Sequence, residues 1–142
     1  MWAHPRQCTV VFGLVLVGGA IALAAFWTST ETRPAEDRIR VTSPAPNTVI
    51  RSPLRVSGEA RGEWYVEASF PVLLLDGSGR EIAAVPAQAQ GDWMTEEFVP
   101  FFAELRFAVP ERTAGTLVLE RDNPSGLPEH AAEFRIPVMI AP

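Results

Sequence analysis

From residue 39 to the end of the chain, apolar and polar positions alternate with a period of two, the mark of strands buried on one face. "RIRVTSP" sets Ile39 and Val41 against arginine and threonine, and "PLRVSGEAR" does the same with Leu54 and Val56. "EWYVEASFPVLLLD", if extended throughout, places Trp64, Val66, Ala68, Phe70, Val72 and Leu74 on one side. "AELRFAV" alternates Ala103, Leu105, Phe107 and Val109 with Glu104, Arg106 and Ala108. "TLVLE" supplies Leu117 and Leu119, and "EFRIPVMI" supplies Phe134, Ile136, Val138 and Ile140. Residues 81–90 are a weaker strand candidate because of their alanines and Pro86.

Turn chemistry separates these runs. "SPAPN" precedes the second, "DGSG" at Asp76–Gly79 is a strong hairpin signal, and "RDNPSGLPE" is rich in turn formers. Thirteen prolines, most of them between runs, argue against long helices. The pattern predicts an all-β domain, an antiparallel β-sandwich of about seven short strands. Pro137, inside the last run, predicts a sheet edge there, where a missing backbone donor faces solvent.

Ahead of residue 39 the pattern changes. Val10–Trp27 is eighteen residues without a charge. As a helix at roughly 1.5 Å per residue it is about 27 Å long, close to the hydrocarbon thickness of a bilayer. This predicts one N-terminal transmembrane or signal helix at 10–27. Its length favours an uncleaved anchor with Trp27 at the outer interface; the alternative is a cleaved signal with Ala22-Leu23-Ala24 as the cut site. Arg6 favours the N-terminus inside, so residues 1–9 are expected in the cytoplasm. Residues 28–38, "TSTETRPAEDR", read as a polar tether. Residues 39–142 form one extracytoplasmic domain, on the cell membrane, or secreted if the leader is cleaved. Cys8 precedes the apolar run and is badly placed for a lipoprotein site.

Composition narrows the chemistry. The chain has 142 residues, 47% hydrophobic and 20% charged, with a formal net charge of −5, which suits one globular domain. The acidic balance argues against nucleic-acid binding through phosphate contacts. One cysteine and two histidines leave no disulfide framework and no Cys/His zinc site within the chain. No cofactor or metal is expected. Nine arginines against fourteen acids in 39–142 favour a basic partner or a divalent-ion bridge over direct binding to an acidic wall polymer.

One segment invites a functional reading. Residues 91–102, "GDWMTEEFVPFF", set Trp93, Met94, Phe98, Phe101 and Phe102 around Asp92, Glu96 and Glu97. Aromatic and methionine side chains flanked by fixed charge resemble the centre of a protein interface. Trp64 and Glu67 join such a patch if their segment is adjacent. The competing reading makes Trp93, Phe98 and Phe102 inner-face core, as buried aromatics dominate small cores. Asp122 and Asn123 in "DNPSG" offer oxygen ligands of the kind hard cations take, but the spacing is that of a turn. No catalytic residues are assigned: His130 lies in "PEHAAE" with no nucleophile motif, and no glycine-rich phosphate loop precedes a helix.

Three stretches go beyond a generic sandwich: "GEWYVEASFPVLLLDGSGREI", "AQAQGDWMTEEFVPFFAELRF" and "LVLERDNPSGLPE". Together they resemble the bacterial spore germination immunoglobulin-like domain family (Gmad2, associated with GerMN domains), over about Ile39–Ile140. The resemblance implies an Ig-like, extracytoplasmic module of the bacterial envelope and brings no catalytic residue with it. The expected function is therefore a non-catalytic, membrane-anchored binding module, possible site residues being Trp64, Glu67, Asp92, Trp93, Met94, Glu96, Asp122 and Asn123. Its expected partner is another envelope protein. The alternative is a cell-wall glycan stacked on Trp64 or Trp93.

Overall fold

Alternation along the chain becomes eight strands in the structure, a computed structural model that describes residues 35–142. The stretch 1–9, the apolar run 10–27 and residues 28–34 lie outside the described residues. The strands are β1 (Ile39–Ser43), β2 (Val49–Ile50), β3 (Leu54–Arg61), β4 (Ser69–Asp76), β5 (Glu81–Ala89), β6 (Phe98–Leu105), β7 (Thr113–Glu120) and β8 (Glu133–Ile140). They form one hydrogen-bonded sheet in the order β1-β3-β6-β5-β4-β7-β8-β2. Every pairing is antiparallel except β2 with β8, which run parallel.

The expectation of about seven antiparallel strands is therefore met in part: the domain is all-β, with eight strands in a mixed sheet that curls on itself. Strands β5 and β6 join only at Gln88–Phe102 and Ala89–Phe101, so the sheet bends at that corner. Phe70 of β4 and Phe101 of β6 have ring centroids 5.0 Å apart although β5 lies between them in the sheet. Strands two apart in a flat sheet would stand about 10 Å from each other. The inner faces of the two halves thus meet, and Ile39, Val56, Phe70, Val72, Leu74, Phe101, Leu105, Leu117, Leu119, Ile136 and Ile140 form one buried cluster.

Most of these are the periodic positions of the sequence, with three departures. The run 64–74 is not one strand: Gly62–Trp64 is a 3-10 turn, and Glu67 and Ala68 have φ of 50° and 63°. Glu67 and Ala68 form the tight turn between Val66 and Ser69, whose backbones bond each other, and so reverse the chain between the end of β3 and the start of β4. Strand β6 starts at Phe98 and ends at Leu105, so Phe107 and Val109 fall in the following loop. Residues 35–37, expected at the end of the tether, make a 3-10 turn whose Ala35 packs on the core.

The prolines sit where a missing donor does no harm. Asn47 donates to the Pro137 carbonyl (2.7 Å), so the polar side of Pro137 faces away from β7 and its absent N–H breaks no bond with that neighbour. Pro86 lies on the part of β5 that β6 does not cover. At the hairpin, the Asp76 carboxylate accepts from the Ser78 hydroxyl and from the backbone N–H groups of Ser78 and Arg80. Those bonds hold its pKa down at about 2, and Gly79 supplies the φ of 84° that the turn requires. Among the described residues, no helix is long and apolar enough to cross a membrane.

Candidate functional site

The register puts three connections at one pole of the domain: 62–68 between β3 and β4, 90–97 between β5 and β6, and 121–132 between β7 and β8. The chain enters β1 at the same pole, since Ile39 pairs with Ala60 and Arg61 with Phe98. Every candidate residue of the sequence lies in these connections.

Backbone contacts tie the connections together. The Asp122 N–H donates to the Trp64 carbonyl (3.2 Å), and the Arg121 guanidinium to the Glu63 carbonyl (3.0 Å). Arg61 bonds the carbonyls of Asp37 and Glu96, and the guanidiniums of Arg61 and Arg40 lie 4.3 and 4.1 Å from the Phe98 ring centre. Gly62 has no room for a side chain, because a Cβ there would meet the carbonyls of Trp93 and Thr95. Loop 90–97 thus lies directly on the first of the three connections.

Trp64 is fully buried, with its ring edge-on to Phe70. It is core, and no sugar ring can stack on it. Tyr65 is also buried; its hydroxyl donates to the Val99 carbonyl (2.7 Å), and burial pushes its pKa up to about 12. Trp93 is half-buried and packs against the core. Met94 is 77% exposed, held out by a local turn: the Asp92 carboxylate accepts from the Met94 N–H, and the Thr95 N–H bonds the Trp93 carbonyl. Asp92 and Glu96 are exposed, as are Glu67 and Glu97.

The competing core reading of the segment is corrected strand by strand. The inward residues of β6 are Val99, Phe101, Ala103 and Leu105, while Phe98 and Phe102 point outward and Phe102 is exposed. The segment is therefore split: Phe101 is core, Trp93 and Phe98 lie at the margin, and Met94 and Phe102 are surface.

Charge is distributed unevenly. Segments 35–38, 62–68, 90–97 and 121–132 hold nine acids against two arginines. The ion pairs of the described residues use Glu59, Glu63, Asp76, Glu104 and Glu133. Glu67, Asp92, Glu96, Glu97 and Asp122 therefore carry uncompensated charge at this pole. A recess of about 480 Å³ lined by Arg61, Glu63, Thr95 and Glu96 opens there. Asp122 lies apart, at the margin of a shallow groove beside Pro71 and Pro86, and the Asn123 amide donates to the Leu127 carbonyl. Among the described residues, no three acids or histidines are grouped to hold a metal ion.

The sequence reading missed one contact. The Ser125 hydroxyl lies 3.1 Å from His130 Nδ1, the spacing of a nucleophile and its base, but also 2.7 Å from the Asn123 side-chain oxygen. One hydroxyl proton serves one acceptor, and the shorter contact is to Asn123. The Leu127 N–H donates to the same hydroxyl. The arrangement closes an exposed turn, and its signal in the sequence is the Asn-Pro-Ser-Gly turn itself.

Comparison with protein families matches residues 38–126 to the immunoglobulin-like domain of bacterial spore germination (Gmad2). The match covers more than half of the chain, from the entry of β1 to the turn after β7, and the chain belongs to this family. Strand β8 lies beyond the matched stretch. Searches of curated proteins and of solved structures found no match.

Proposed function

We propose that this spore-germination Ig-like domain is a non-catalytic binding module of the bacterial envelope, working through its acidic pole. The observation that carries this reading is Met94: a methionine 77% exposed, presented by its own turn, and bordered by the unpaired carboxylates of Asp92, Glu96 and Glu97. An isolated exposed apolar side chain is ordinary. One held out by a dedicated turn and ringed by like charge has the make-up of an interface anchor, and the surrounding charge selects a basic protein surface.

The envelope location and the anchoring rest on the apolar run Val10–Trp27 and on the family. The chain is taken to be held at its N-terminal side, with the domain outside the cytoplasm. In-cell photo-crosslinking tests the binding role. A benzophenone-bearing amino acid at position 94 is expected to give a discrete protein adduct, and the same group at the exposed Glu111, in the loop between β6 and β7 at the opposite end, is not. No adduct at position 94, or equal labelling at both, overturns the reading.

A further inference from the structure

Residues 35–37 form the turn through which the N-terminal part of the chain joins the domain. The Arg38 N–H closes this turn on the Ala35 carbonyl (2.9 Å), and Ala35 packs on the core. Arg38 is ion-paired with Glu63 at 3.5 Å. One further contact holds the turn: Arg61 Nε donates to the Asp37 carbonyl (3.1 Å). Nη1 of the same guanidinium donates to the Glu96 carbonyl (3.0 Å), two residues past Met94. A single side chain thus joins the entry turn to the loop that presents Met94.

The guanidinium is placed for this bridge alone. Arg61 forms no ion pair among the described residues, although Glu63 and Glu96 line the same recess. It is a rigid planar fork seated 4.3 Å from the Phe98 ring centre, so a tilt that follows one carbonyl turns its donors away from the other. Loop 90–97 has little else to fix it. Trp93 and Thr95 are half-buried and the other six residues are exposed, with the recess of about 480 Å³ open beside Thr95 and Glu96. Its other ties are the close approach of Trp93 and Thr95 to Gly62, the turn bonds of the Asp92 and Thr95 side chains, and Gln90 on the Pro100 carbonyl at its base. Segments with so few buried contacts open at low cost, so one charge-assisted bond is a large share of what orders this loop.

We infer that Arg61 is a positioning residue of the Met94 site and couples it to the entry turn. Release of the turn loosens the loop, and a partner seated on Met94 tightens the turn, because such a linkage is reciprocal in binding free energy. Resting on the reading of Met94 as an anchor, this coupling names what regulates it: the docking of the segment by which the chain enters the domain.

Amide hydrogen exchange on the full chain in detergent micelles tests the coupling. The Arg38 amide reports the turn, the Thr95 and Glu97 amides report the loop, and the Leu117 amide in β7 reports the fold. Asp92→Ala removes a bond of the loop's own turn at an exposed position and leaves the fold intact. It is expected to speed exchange at Thr95 and, severalfold, at Arg38 as well. Ala35→Glu is expected to undock the entry turn and to speed Thr95 and Glu97 in return. Arg61→Met keeps the stem over Phe98 and removes both bonds; in that background neither change is expected to reach the far segment, with Leu117 unaltered throughout. Asp92→Ala that acts only within its own loop overturns the coupling, and so does a far response that survives Arg61→Met. If Ala35→Glu does not fold, Asp92→Ala decides the matter from the other side. In cells, Arg61→Met is expected to weaken the adduct at position 94 severalfold. Coupled exchange with no adduct at position 94 in the native background keeps the role of Arg61 and removes the anchor reading; an adduct with purely local exchange does the reverse.

Discussion

Tyr65 buries its hydroxyl against β6 and lays its ring against Phe70 of β4. It follows the 3-10 turn at the end of β3, and its proton goes to the Val99 carbonyl on β6. Desolvation raises its pKa from 10.0 to about 12, so the folded phenol stays neutral where the unfolded one has already ionised. Stability is then full below about pH 10 and falls as the pH rises toward about 12. Urea midpoints at pH 9 and pH 11.5 should show this fall, and Tyr65→Phe should flatten it. At pH 7 the same variant is expected to lose about 1–2 kcal/mol, because the Val99 carbonyl is left buried without its donor. A pH-independent midpoint in the native chain would contradict the buried-phenol account.

Strand β6 shows how far the pattern of a single strand can be read. Its residues alternate Phe98, Pro100 and Phe102 outward with Val99, Phe101 and Ala103 inward, and both sets are apolar. Period two is present in the sequence, but hydrophobicity does not say which set is inside, because a one-residue shift exchanges the faces. The answer comes from the neighbours. Pairing of Val56 with Ala103 and of Gly58 with Phe101 places Phe101 against Phe70. Phe101→Ala is therefore expected to cost about 3–5 kcal/mol, and Phe102→Ala less than about 0.5 kcal/mol, in chemical denaturation. Equal costs would show that the face assignment is wrong. In β8 the other face carries Glu133 and Arg135, and the reading carries through: Ile136, Val138 and Ile140 are buried as their alternation requires. In β4 and β7 the positions read as inward, Val72 and Leu74 with Leu117 and Leu119, are buried as well, although Leu73 and Val118 on the other faces are also apolar and Val118 is itself buried. The turn at Glu67 and Ala68 was not legible, since neither residue favours positive φ. The demand for it comes from the chain that leaves β3 having to reverse into β4, with Val66 and Ser69 bonded across the turn. The candidate site was legible in composition and not in geometry. Asp92, Met94 and Glu96 share one exposed loop, whereas Trp64 was an apolar position of the periodic pattern and is core.

At the scale of the molecule, the register separates two kinds of surface that composition averages into a net charge of −5. The connections between β3 and β4, β5 and β6, and β7 and β8 all fall at one end, and these hold seven of the seventeen acids and one arginine. The other end, with the hairpin and loop 106–112, is nearer balance, since Arg80 and Arg106 are paired with Asp76 and Glu104. A mean charge would suggest uniform self-repulsion; the separation instead makes approach between copies depend on orientation.

The termini of the described chain follow the same division. Strand β1 begins at the acidic end, where Ile39 pairs with Ala60, and β8 finishes at the other, where Ile140 pairs with Ile50 and Thr113. A pull applied between the two ends would run along these strands, loading the β1–β3 and β7–β8 ladders in shear, so that their bonds must yield together rather than peel one by one. Extension from the termini should therefore meet a higher rupture force than extension between Gly79 and Pro142, which lie at one end and draw strands apart sideways. Single-molecule stretching along the two axes would register the difference, and a domain built this way would bear tension along its length.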